Sequence, residues 1–325
     1  FDAGVIQPVL LGGLAKLSGA AEHIGWDISS FECIEANGES EAAEEGARLA
    51  HAGSVNMIMK GHIHTDAFMR PLLAKGSGIR AGRRLSHVFH MSLPDRDDSL
   101  LLTDCALNVA PDIETRIAII ENAIELSQKL GCFRPRVALL AASEVVVDAM
   151  PITKECQQLT EYFAKRDIAA EVFGPLAFDN VVSETSAQLK GIDHSVAGNA
   201  DIIVVPTIET GNALFKMMVY FMSACAGGIV LGGSVPVLLT SRADPAAARA
   251  VAICPRQPLA LATDRTRELV AVLHLVHVGT GRPAPGGWSN QSATAIRPPL
   301  EVRIWKPASR KSASKRQLPL RGSHL

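Results

Sequence analysis

Short apolar runs alternate with segments of helical period almost to residue 255, and that alternation leaves few folds open. The clearest runs cover 55–59, 86–91, 100–103, 137–142, 202–205, 228–231 and 235–239. Short runs with little polar alternation suit strands buried on both faces, as in a parallel sheet held between helices. Between two of the runs, Ile113, Ile117, Ile120, Ile124 and Leu130 recur at three- to six-residue intervals and stop at Gly131. That is a one-sided helix ending on a residue that accepts the left-handed region. The expected fold is α/β, three layers of helix, largely parallel sheet and helix. A second set of units starts near Arg134, and the chain returns to the first sheet near Val235. The expected organisation is a first α/β domain from 1–133 plus 235–275 and a nested second α/β domain from 134–234, with a cleft between them. A basic, disordered tail would follow from 276–325.

Charge separates the tail from the body. Residues 276–325 hold nine of the 32 Lys and Arg but one of the 33 Asp and Glu, leaving 23 basic residues against 32 acidic ones before them. The body therefore lacks the positive face that nucleic-acid binding requires. After Val276 the chain is rich in Pro, Gly, Ser, Arg and Lys with no apolar period, which fits an unstructured extension or out-of-frame translation. Six scattered cysteines without a Cys-x-x-Cys pair suit reduced thiols and a cytoplasmic location. The uncharged stretch 217–241 is long enough to span a bilayer, but Gly227-Gly228, Gly232-Gly233 and Pro236 divide it into one helix-sized and two strand-sized pieces, so no membrane is expected. The chain opens on Phe1 and Asp2, with neither an initiator Met nor a signal peptide, and its true start is expected further upstream.

The unusual polar clusters share a position: each directly follows an apolar run. Lys60-Gly61-His62-Ile63-His64-Thr65-Asp66 follows the first, Thr103-Asp104 ends another, Pro206-Thr207-Ile208-Glu209-Thr210-Gly211-Asn212 follows 202–205, and Thr240-Ser241-Arg242-Ala243-Asp244-Pro245 follows 235–239. Ligands of open α/β sheets bind at the carboxyl ends of strands, so one shared cleft is expected. In the last cluster Pro245 suits the first turn of a helix over 245–251, with Asp244 as its N-cap. The free N–H groups there, beside Ser241 and Arg242, would suit an anion, or the segment is an ordinary strand-to-helix turn. Arg70 is either a second guanidinium for a phosphate or a solvated surface residue.

Other chemistries are less well supported. His62-x-His64-x-Asp66 could hold zinc for a hydrolase, but Ala67 stands where metallo-β-lactamase-like sequences carry a further His. No G-x-G-x-x-G follows a strand, and neither a G-x-x-x-x-G-K-[ST] loop nor a G-x-S-x-G elbow occurs.

Read together, the clusters resemble the phosphate acetyltransferase/phosphate butyryltransferase family. The matching stretches are Met59-Lys60-Gly61-His62-Ile63-His64-Thr65-Asp66, Arg83-Arg84-Leu85-Ser86-His87-Val88-Phe89, Leu102-Thr103-Asp104, Gly174-Pro175-Leu176-Ala177-Phe178-Asp179-Asn180, Val196-Ala197-Gly198-Asn199-Ala200-Asp201, Gly211-Asn212 and Val235 through Asp244. The likeness is greatest to the butyryl branch and to the acyltransferase half of bifunctional enoyl-CoA hydratase/phosphate acetyltransferases, whose upstream hydratase domain would be missing here. The resemblance implies reversible exchange of acyl-CoA and phosphate for acyl phosphate and CoA by direct attack of the CoA thiol in a ternary complex. It implies two α/β domains with the site in the cleft, and a homodimer or larger homo-oligomer. CoA is a substrate, and neither a cofactor nor a metal is implied.

On that resemblance Asp244 would be the base and Ser241 would hydrogen-bond the thiol or the oxyanion. Arg242 and Arg70 would hold the phosphoryl oxygens with Thr65, while Lys60, Asn212 and Asn180 would line the CoA side of the cleft. Acyl length would depend on the packing of residues such as Phe68, Met69, Leu176 and Phe178. Three positions depart from the family pattern: Ala247 and Ala248 where the acetyl branch has a carboxylate, Thr207 where Asp is usual, and Cys254-Pro255 where the last helix should continue. Two further readings remain open on these residues. One is a catalytically impaired relative that binds CoA or acyl phosphate, and the other is the fold's dehydrogenase cousins, whose metal-binding aspartates have no counterpart that the sequence identifies.

Overall fold

The computed structural model describes residues 6–74, 76–80, 82–94 and 99–239, with the backbone of 270–273, all within the unit Phe1–Gly279. Eleven strands form one sheet in the order β2-β1-β11-β3-β10-β9-β4-β5-β8-β6-β7. In chain order they are β1 (Gln7–Gly12), β2 (Glu32–Glu35), β3 (Met57–Met59), β4 (Ser86–Ser92), β5 (Ser99–Thr103), β6 (Arg136–Leu140), β7 (Glu171–Leu176), β8 (Ile202–Val204), β9 (Cys225–Leu231), β10 (Val237–Leu238) and β11 (Val270–Leu273). The helices are α1 (Leu14–His23), α2 (Glu39–His51), α3 (Thr65–Leu73), α4 (Ile113–Lys129), α5 (Pro151–Ala164), α6 (Phe178–Val182), α7 (Glu184–Leu189) and α8 (Ile208–Phe221). The α/β layering expected from the apolar runs is present. The uncharged stretch resolves into the end of α8, then β9 and β10, and among the described residues no helix is long and apolar enough to cross a membrane.

The predicted helix is α4. Asp112 caps it, its carboxylate accepting from the Thr115 N–H at 2.9 Å, and Gly131 follows its end at φ 95°. Ile119, Ile120, Ala123 and Leu126 face a core shared with α5 and with Met57, Met59, Val88, Val137, Leu139, Ile229 and Leu238 of the sheet. Residues paired across a ladder share a face. Val237 pairs with Ile58 and Val230, Val230 with His87, Gly228 with Phe89, Phe89 with Leu102, and Leu102 with Ile203. These residues therefore form the opposite face. On it α2 and α3 cover one stretch, through Ala42, Ala43, Ala47, Phe68, Met69 and Leu72. Helices α6, α7 and α8 cover another, through Val181, Ala187 and Met218.

Two features depart from the sequence pattern. β11 enters between β1 and β3, parallel to both, beyond the point near residue 255 where the alternation had been expected to stop. The sheet also reverses sense at its centre: β3 and β10 run parallel, β9 is antiparallel to β10, β4 to β9 and β5 to β4, and β8, β6 and β7 then run with β5. Strands β3 and β10 therefore leave the sheet at one edge, and β5, β6, β7 and β8 at the other.

Candidate active site

Lys60 extends the pairing of β3 by one residue, its N–H donating to the Leu238 carbonyl at 3.0 Å. Its side chain is 3% exposed, and Nζ donates to the Gly61 carbonyl at 3.4 Å. Ile63, buried with α2 and α3, anchors the loop that follows. His64 then starts α3, its carbonyl accepting from the Phe68 N–H at 2.9 Å. Glu39, the first residue of α2, accepts from the His64 N–H at 3.0 Å, and one of its carboxylate oxygens lies 2.8 Å from His64 Nδ1. The first turns of α2 and α3 are tied together, which fixes Thr65 and Asp66, both exposed at the start of α3. Arg70 is exposed on the last turn of the same helix. Five helical positions separate it from Thr65, which is a rotation of about 140°. The two side chains therefore leave α3 from different faces.

His62, His64 and Asp66 are not gathered around a common point in the structure. Among the described residues no three His, Cys, Asp or Glu side chains are grouped to hold an ion, and the His64 ring is engaged by Glu39.

Thr103-Asp104 is a structural knot. The Asp104 carboxylate accepts from the N–H groups of His87 at 3.1 Å, Ala106 at 3.0 Å and Leu107 at 3.0 Å, and from Asn108 Nδ2 at 2.6 Å. Thr103 Oγ1 donates to the His87 carbonyl at 2.9 Å. These bonds join β4 to β5 and fold the chain after β5 back on itself. At the end of β8, Thr207 caps α8, its hydroxyl accepting from the Thr210 N–H at 3.4 Å. Thr207 thus supplies the cap without a charge. Gly211 seats α8 closely: a Cβ there would stand 2.7 Å from Cys105 Sγ and 3.1 Å from the Asp104 carbonyl. Asn212 is exposed one position further along.

The polar clusters share a face of the sheet rather than an edge. Lys60-Gly61-His62-Ile63-His64-Thr65-Asp66 follows a strand that ends, like β10, at one edge, while Thr103-Asp104 and 206–212 leave at the other, because the antiparallel β9 and β4 reverse the strand sense between them. Helix α8 then lies across the face that α3 also covers. Asn180 stands in α6, after β7, whose end is on the same side of the sheet as the ends of β5 and β8 and seven strand steps from β3, roughly 34 Å at the usual strand spacing. With its amide oriented to satisfy both ends, Asn180 donates to Asp179 Oδ2 at 3.2 Å and accepts from Lys190 Nζ at 3.3 Å. Ser241, Arg242 and Asp244, the helix over 245–251 and the tail 276–325 lie outside the described residues. Phe68 and Met69 belong to the core under α3, Leu176 belongs to the one under α6, and Phe178 is exposed at the start of α6.

Between the α3 and α8 sides, the sheet has a floor that the sequence reading did not single out. Continuing the β3–β10 and β10–β9 registers by one residue sets Lys60 beside Leu239 and Leu239 beside Gly228, whose partner is Phe89. A Cβ on Gly228 would stand 2.6 Å from the Leu239 carbonyl oxygen, 2.8 Å from His87 Nε2 and 3.0 Å from Phe89 Cε1. Only glycine lets the two rings lie against β9 there. His87 is fully buried with neither ring nitrogen hydrogen-bonded, and burial holds its imidazole down to about 4 against the pull of Asp104. Gly227-Gly228 inside an apolar run was the available signal, since strand glycines mark close approach of other groups.

Comparison with known proteins identifies the family. The family described as Phosphate acetyl/butaryl transferase matches residues 35–252. The chain is 39% identical over 272 residues to a phosphate acetyltransferase of Rhizobium meliloti, covering 83% of this chain and 86% of that protein. It is 37% identical over 242 residues to a phosphate butyryltransferase of Clostridium acetobutylicum, covering 74% and 80%. Among solved structures, a branched-chain phosphotransacylase from Enterococcus faecalis V583 superposes with a TM-score of 0.63 at 34% identity, covering 74% of this chain and 93% of that one. The chain belongs to the phosphate acetyl/butyryl transferase family of acyltransferases.

Proposed function

We propose that this protein exchanges acyl-CoA and phosphate for acyl phosphate and CoA, acting on acetyl or butyryl groups. The observation that carries the proposal is the family match from residue 35 to 252, which takes in the Lys60 loop, the β4–β9 floor and the end of β10. The reaction needs one proton removed, one carbonyl polarised and one phosphate held, so positioning and charge neutralisation do most of the work. In the thioester-forming direction Asp244 takes the thiol proton of CoA, the sulfur attacks the carbonyl of the acyl phosphate, and phosphate leaves. Ser241 hydrogen-bonds the thiol or the oxyanion. Arg242 clamps the phosphoryl oxygens with Thr65 at the start of α3, and Arg70, about 140° round that helix on its last turn, brings its long side chain toward the same group. Lys60 and Asn212 hold the CoA side. CoA is a substrate, and the scheme uses neither a metal nor a covalent acyl-enzyme.

We place the protein in the cytoplasm as a homo-oligomer. Met217, Tyr220 and Phe221, exposed at the end of α8, supply apolar surface for a second copy. The scheme is tested in the thioester-forming direction, with acetyl phosphate or butyryl phosphate and CoA, with and without a strong chelator. Thioester formation that survives the chelator is the expected result. Loss of turnover that zinc alone restores would overturn the scheme.

A further inference from the structure

Phe89 of β4 and Phe215 of α8 stack face to face, with ring centroids 3.8 Å apart and planes within 6°. His87, on the same face two residues before Phe89, meets it edge-on at 4.4 Å. Beneath the pair the sheet is closed: His87 is fully buried, and Gly228 brings no side chain between the rings and the backbone of β9. Phe89 and Phe215 themselves remain only partly buried, although the chain around them is core. The edge of the Phe89 ring and the Leu239 carbonyl both crowd the Cβ position of Gly228. The pair thus begins beside the end of β10. On its other side Phe215 follows Asn212 by three positions, which puts the two on neighbouring parts of α8.

We propose that Phe89 and Phe215 form the floor on which the acyl chain of the thioester lies, and so set the acyl size the enzyme prefers. This rests on the acyl exchange proposed above. An apolar chain needs a flat, dry surface next to the reacting carbonyl, and a stacked aromatic pair supplies one without a polar group to desolvate. Each methylene laid on such a surface is worth about fourfold in binding, so two methylenes separate butyryl from acetyl by about 15-fold.

The test is kcat/KM for acetyl-CoA and butyryl-CoA, measured with saturating phosphate, in the unsubstituted protein and in Phe215→Ala, Phe215→Leu and Phe89→Leu. The expected result for Phe215→Ala is a fall of at least about fivefold in the butyryl-to-acetyl ratio, with the KM for phosphate unchanged. The two Leu variants keep apolar packing between α8 and the sheet and should shift the ratio at least about threefold, so the question stays open to test if the Ala variant fails to fold. If the pair only packs α8 on the sheet, both acyl-CoAs lose rate together. A ratio within twofold of the unsubstituted enzyme in the folded variants overturns this proposal alone. No phosphate-dependent turnover by the unsubstituted protein overturns the exchange reading and this one with it.

Discussion

Lys60 and Phe89 stand in one transverse row of the sheet, three strands apart, with Leu239 and Gly228 between them on the same face. A buried lysine at one end of the row and a half-buried aromatic ring at the other give this floor a polar end and an apolar end. That polarity suits a substrate with an anionic carrier and an apolar acyl group.

Lys60→Met tests the polar side. The substitution keeps most of the buried stem and removes the charge. Acyl exchange should fall at least about tenfold while the thermal midpoint moves by only a few degrees. Unchanged kcat/KM in a folded variant would take Lys60 out of the site.

Arg242→Ala tests the phosphate clamp. Loss of a charge-assisted, bidentate contact should cost about 2–4 kcal/mol of transition-state stabilisation, seen mainly with phosphate as the varied substrate. Arg242→Lys should recover only part of the loss, since an ammonium lacks the planar fork. Phosphate kinetics indifferent to both changes would remove Arg242 from the clamp.

Asp104 makes a prediction of another kind. Its carboxylate satisfies three backbone N–H groups and one side-chain amide. Asp104→Ala strands these donors, at about 1–3 kcal/mol for each one left without a partner, and should lower the urea midpoint accordingly. A midpoint unchanged within error would mean that the bonds do not hold β4 to β5.

Much of the fold was legible because seven strands carry apolar runs and α4 carries a clean helical stripe. β11 was not, since its four residues lie between a charged stretch and the Pro-rich chain that follows. The polar clusters were recognisable from their places after strands. Their distribution over two edges was not, because it depends on β4 and β9 pairing antiparallel across more than 130 residues of chain. Thr103-Asp104 looked like a site cluster because an acid after a strand reads the same whether it binds a ligand or ties a loop. Thr207 could be recognised as a departure from the family pattern, but its capping role needed the backbone of α8.

His87 should contribute to the loss of stability in acid. Its imidazole stays neutral in the fold down to about 4, whereas in the unfolded chain it takes up a proton near the ordinary value of about 6.5. The unfolded state therefore binds more protons between those values, and stability should fall as pH drops from about 6.5 to 4, by about 3 kcal/mol in all. His87→Asn should flatten that part of the urea-midpoint profile. An equally steep profile in the variant would show that other groups govern the acid transition.

The central claim is acyl transfer from CoA to phosphate, and it is tested most directly by free thiol release from butyryl-CoA or acetyl-CoA, with and without inorganic phosphate. The account predicts thiol release that requires phosphate, saturates with it, and yields one acyl phosphate for each CoA freed. Thiol release at the same rate without phosphate, or none with either acyl-CoA at any phosphate concentration, would contradict it.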